Sequence, residues 1–115
     1  MLDVGATVEL QHARTSCLVT RFLGEGAQGR VFGVRVELAG DSREYALKWY
    51  HSGFDTDNQR ATLERLIDYG IPSDRFLWPI DLAHADGDES FGYLMPLRPE
   101  TFAPLADLLL SLIHI

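Results

Sequence analysis

Apolar and polar residues alternate at period two along several stretches of this chain, the spacing of strands with one face buried. Val34, Val36 and Leu38 alternate with Gly33, Arg35 and Glu37, which predicts a strand over 30–38. Tyr45, Leu47 and Trp49 alternate with Glu44, Ala46 and Lys48, so a strand over 43–50 puts Ala46 and Lys48 on one face. Shorter patterns predict strands over 16–23, 76–82 and 91–95, with Pro79 implying an edge or a bulge, and a short leading strand over 8–11. Turn chemistry falls at 39–42 and at 86–90, where Asp86-Gly87 is a strong hairpin signal.

The period changes once. Leu63, Leu66 and Ile67 form a helical stripe. Thr56 with Gln59 three residues on is a capping-box start, and Gly70 is a C-cap before Pro72 and Ser73 break the chain. A helix over 56–69 is therefore expected. Glu64 lies beside its apolar stripe and can point inward, or can stay on the surface and pair along the helix with Arg60.

Chemistry enters with Leu23-Gly24-Glu25-Gly26-Ala27-Gln28-Gly29-Arg30-Val31. Glycines spaced G-x-G-x-x-G let a backbone approach a phosphate and aim N–H groups at it. The same spacing opens dinucleotide-binding units, but there a helix must follow, and here the strand pattern of 30–38 follows. The P-loop template fails because Arg30-Val31 stand where Lys and Ser or Thr are required. What remains is a glycine loop joining two antiparallel strands, with Lys48 on the next strand.

That combination resembles the amino-terminal lobe of a eukaryotic-type protein kinase, over about 16–109. Gly24, Gly26 and Gly29 match the glycine-rich loop at 24–29, and Ala46-Leu47-Lys48 matches the end of the lysine motif. Glu64 sits where the family places the glutamate of its αC helix, and Tyr93-Leu94-Met95-Pro96-Leu97 resembles the strand that runs into the hinge. The resemblance implies an α+β fold, a five-stranded antiparallel sheet with one αC helix, followed by the hinge and the start of the next helix. It implies ATP as ligand with Mg2+, Lys48 on the α and β phosphates, and Glu64 holding Lys48. Leu23, Val31 and Ala46 would enclose adenine, Met95 would stand as gatekeeper, and Pro96 and Arg98 would offer a backbone carbonyl and N–H. The implied activity is transfer of the γ-phosphoryl of Mg-ATP to a protein hydroxyl, serine or threonine rather than tyrosine. One position departs from the family: Asp68 stands where an apolar spine residue is common.

Composition narrows the context. The chain has 115 residues, 46% of them hydrophobic, enough for one small domain with a core. No apolar run reaches the ~18 residues of a membrane span, and the start lacks the pattern of a signal peptide. A net charge of -7 argues against nucleic acid or an anionic membrane as the main partner. The lone Cys17 excludes an internal disulfide and fits a reducing, cytoplasmic setting as a small apolar strand residue. His12, His51, His84 and His114 show no metal spacing, and no G-x-S-x-G elbow supports a serine nucleophile.

The sequence contains no H-R-D loop, D-F-G site or A-P-E segment. The expected organisation is an ATP-binding lobe over 1–97, hinge and first following helix over 98–109, and an adapter-encoded tail over 110–115, as the front part of a longer kinase. The alternatives are a pseudokinase or regulatory nucleotide-binding module, whose function is contact, and a dinucleotide-binding fragment.

Overall fold

The computed structural model describes residues 2–38, 40–70 and 78–97, without the side chain of Leu38. Six strands and one helix occur in the order β1 (Thr7–Leu10), β2 (Ser16–Glu25), β3 (Gly29–Leu38), β4 (Asp41–Tyr50), α1 (Asp57–Tyr69), β5 (Asp81–His84) and β6 (Phe91–Pro96). All strand pairs are antiparallel and close into a barrel of order β1-β2-β3-β4-β6-β5, with β5 returning to β1. The open five-stranded sheet with an αC helix, expected of a kinase amino-terminal lobe, is therefore corrected. Among the described residues the molecule is a closed six-stranded barrel carrying a single short helix.

Closure depends on the short leading segment. β1 pairs with β2 through Thr7↔Leu18 and Val8↔Cys17, and with β5 through Glu9↔His84 and Leu10↔Ala83. A carboxylate locks this seam. Asp81 is only 4% exposed, and its oxygens accept the backbone N–H groups of His12 and Ala13, each at 2.9 Å, and of Leu82 at 2.8 Å. A buried charge is tolerated where several donors surround it, and here the donors are the turn leaving β1. The Gln11 N–H adds a bond to the Leu82 carbonyl at 2.9 Å.

The alternation along each strand sorts side chains to two sides of the wall. Val8, Leu10, Cys17, Val19, Phe32, Val34, Val36, Leu47, Trp49, Ala83 and Leu94 pack with Leu2 as the barrel interior. Val31, Ala46, Tyr50, Leu82, Phe91, Tyr93 and Met95 form a second apolar cluster on the outer face, completed by Leu63, the buried residue of α1. Cys17 belongs to the interior, where burial pushes its thiol up to about 12 and leaves it inert.

The helix starts and stops as its caps predict. Thr56 Oγ1 accepts the Gln59 N–H at 3.2 Å, and Gly70, at φ 89°, donates to the carbonyls of Leu66 and Ile67. Pro79 precedes β5, which begins at Asp81, later than the 76–82 pattern suggests. Residues 71–77 and everything from 98 onward lie outside the described residues, including Arg98, the expected following helix and the tail.

Candidate functional site

The strand register builds a small array on the outer face. Lys48 stands between Val31 on β3 and Tyr93 on β6, and Ala46 stands between Gly33 and Met95 in the adjacent row. Val31, Ala46, Lys48 and Met95 are each at most 1% exposed. The structure thus gathers four of the residues singled out in the sequence onto one surface, with half-buried Leu23 packed at its edge. Pro96 is the last residue of β6, opposite Tyr45, so it still belongs to the strand.

Lys48 is the only fully buried cationic side chain among the described residues. Its Nζ donates to Gln28 Oε1 at 3.1 Å and lies 5.5 Å from the centre of the Tyr50 ring. Burial lowers its pKa from the ordinary lysine value of 10.5 to about 8. The Tyr50 hydroxyl in turn accepts the Gln59 side-chain amide at 3.1 Å. Gln59, the fourth residue of the capping box, therefore sends its side chain to β4.

Glu64 does not take the expected role. It is half-buried on α1 and forms no ion pair with Lys48 among the described residues. The reason is the rotation of the helix: Leu63 takes the inward position, and Gln59, more than a turn earlier, is the residue that reaches β4. Asp68 is exposed, so it fills no spine position.

The glycine loop is folded down on the end of β4. The Gly26 N–H closes the turn on the Gly29 carbonyl at 2.9 Å, and the His51 N–H donates to the Gln28 carbonyl at 2.7 Å. The His51 ring adds a second tie, with Nε2 at 3.1 Å from the Gly26 carbonyl and 3.5 Å from the Glu25 carboxylate. Glu25 also pairs with Arg30 Nε at 3.2 Å. Gly24 lies opposite Val31, one residue before the end of β2, and Gly29 begins strand β3, with no helix of the dinucleotide-binding kind. Gly29 has a reason of its own, because a Cβ there would run into the carbonyl of Trp49. That glycine is required by backbone packing whether or not a phosphate arrives.

His51 and Asp81 are the polar residues that sequence reasoning missed. His51 sits three residues past Lys48, and its role follows from the loop curling back to it, a contact that no local pattern encodes. A cavity of about 330 Å³ lies beside this latch, between Arg30, His51 and the hairpin residues Gly87 to Ser90, with Phe32 and Trp49 of the barrel interior in its lining. Lys48 does not line it. The acidic hairpin is a hydrogen-bonded turn in which Asp88 accepts the Ser90 N–H at 3.0 Å.

No protein-family model matches the chain, and comparison with curated proteins finds no match. Among the described residues no group of three or more His, Cys, Asp or Glu is placed to hold a metal ion, and no helix is long and apolar enough to cross a membrane.

Proposed function

We propose that this chain binds the phosphates of ATP at Lys48, beneath the loop joining β2 and β3, as the nucleotide-binding part of a phosphotransferase acting on protein hydroxyls, serine or threonine in preference to tyrosine. The observation that carries the proposal is the contact between Lys48 Nζ and Gln28 Oε1 at 3.1 Å. A fully buried ammonium is costly unless something anionic or polar meets it, and the acceptor meeting it here belongs to the tip of the glycine loop. A phosphate oxygen replacing that amide oxygen pairs the ammonium with an anion. Val31, Ala46 and Met95, on the same face, supply the apolar surface that a purine ring needs.

Lys48 neutralises charge on the phosphates, while the loop covers them and limits water. Magnesium bound with the nucleotide would supply charge neutralisation at the transferring group, and no cluster of three or more His, Cys, Asp or Glu among the described residues is placed to hold it. The 115 residues hold no motif for a catalytic base, so the expected behaviour of this chain is binding without transfer. A second reading, a regulatory nucleotide-binding module, draws on the missing Lys48 to Glu64 pair, because a transferring enzyme of the resembled kind needs that pair in place.

The test is calorimetric titration of the chain with Mg-ATP, alongside Lys48→Met and with NAD as a competing ligand. The expected result is measurable ATP affinity that falls at least tenfold in the variant, with no preference for NAD. Equal affinity of the two proteins for ATP would overturn the assignment. Phosphorylation of a protein substrate by the parent separates the two readings, since the regulatory module retains ATP binding and shows no transfer.

A further inference from the structure

Tyr93 is fully buried, and its hydroxyl has no hydrogen-bond partner among the described residues. A buried unpaired hydroxyl is uncommon in a native structure and calls for a physical reason. Its ring is held in the outer cluster, with the Tyr50 ring 6.0 Å away, and it is the direct cross-strand neighbour of Lys48. Cross-strand neighbours have Cβ atoms about 5 Å apart, a spacing that a single phosphoryl group can bridge between two long side chains. The helix contributes no carboxylate to Lys48, since Glu64 makes no ion pair with it and Gln59 is engaged by Tyr50. The polar groups that share this row of the face are thus an ammonium and a phenol.

We infer that Tyr93 is a ligand-positioning residue of the Lys48 site, its hydroxyl donating to the same phosphoryl group whose oxygen displaces Gln28 from Lys48. This deepens the ATP reading and rests on it. In the free protein the hydroxyl is stranded; in the complex it gains an anionic acceptor. Burial raises the ionisation of the Tyr93 phenol well above its ordinary value, so it stays protonated and can donate. Two donors converging on one phosphoryl group favour an oxyanion over an uncharged ligand. The site would therefore hold inorganic triphosphate as well as ATP.

The experiment compares the chain with Tyr93→Phe and Lys48→Met, measuring melting temperature without ligand and affinity for Mg-ATP and for inorganic triphosphate. Tyr93→Phe removes one oxygen and keeps the ring, so the unliganded protein should melt at the same temperature or a few degrees higher, because a group with no partner is lost. Affinity for both ligands should fall about tenfold. A drop of several degrees in melting temperature would show that the hydroxyl is engaged in the free protein and would overturn the inference. Wild-type affinity in Tyr93→Phe alongside loss in Lys48→Met would overturn the Tyr93 role and leave the ATP reading standing. Loss of ATP affinity with triphosphate affinity intact would place the hydroxyl on the nucleoside and overturn the phosphoryl assignment. Absence of binding by the unaltered chain would overturn both.

Discussion

The two sides of the β4 wall are built from one alternating sequence and differ in what they tolerate. Inside, Leu47 and Trp49 join an apolar cluster drawn from all six strands, and the buried Asp81 carboxylate on that side is met by three backbone donors. Outside, Ala46, Lys48 and Tyr50 share a face on which Leu63 of α1 packs, and there stand a buried ammonium and a phenol with no hydrogen-bond partner among the described residues. The interior gains stability from every residue it holds. The outer face gives up stability at Lys48 and Tyr93, and such local violations of folding rules mark places where a protein does something besides fold.

The comparison breaks first, and most visibly, at the interior. Phe32→Ala should cost about 4 kcal/mol in urea unfolding, the range for deleting a buried aromatic ring. It should alter nucleotide affinity only through loss of folded protein. Asp81→Ala should cost about 3 kcal/mol, because the N–H groups of His12 and Ala13 lose their acceptors. Hydrogen exchange should then show β1 opening while the β3–β4 amides stay protected. An unchanged β1 would mean that the seam does not depend on this carboxylate.

At the outer face pH enters. Lys48→Met removes a buried charge and with it the donor to Gln28 Oε1, so the variant stands best against the unaltered protein where the ammonium is charged in the fold. Lys48 titrates at about 8 in the fold against an ordinary value of 10.5. Between those values the unfolded chain binds more protons than the folded one, so the stability of the unaltered protein rises with pH across that window. The stability of Lys48→Met relative to the unaltered protein is therefore greatest below pH 8 and falls toward pH 10, which paired thermal melts would read directly. Phosphate affinity should move the other way, falling as pH rises past about 8 and the ammonium loses its proton. The smallest effect is at the rim: Thr56→Ala should cost about 1 kcal/mol through loss of the bond to Gln59 N–H, measured by urea unfolding.

Much of the local structure was legible because it is written at short range. Alternation from Tyr45 to Tyr50 placed Ala46 and Lys48 on a common face, and Thr56 with Gly70 bounded the helix. The closure was not legible, because it couples Glu9 to His84 and the turn after β1 to Asp81. A four-residue strand carries little pattern of its own, and nothing near it in sequence names its second neighbour. The common face of Val31, Ala46, Lys48 and Met95 was legible, because periodicity and register agree there. The site was not legible in Glu64, because the apolar stripe leaves the helix free to rotate by a fraction of a turn. Nor was it in Gly29, where one glycine satisfies a packing need that the phosphate motif also predicts.

The Asp81 clamp also sets an order of events in time. Its bonds to His12 and Ala13 span 69 and 68 residues of chain. On the ribosome, at ~5 to 20 residues per second, the first hairpin waits several seconds for the residue that fastens it. Throughout that interval β1 and β2 carry an unmatched strand edge, the kind of surface that recruits other chains. Once Asp81 arrives, the edge disappears into the barrel, and the vulnerability of the nascent chain is absent from the finished one.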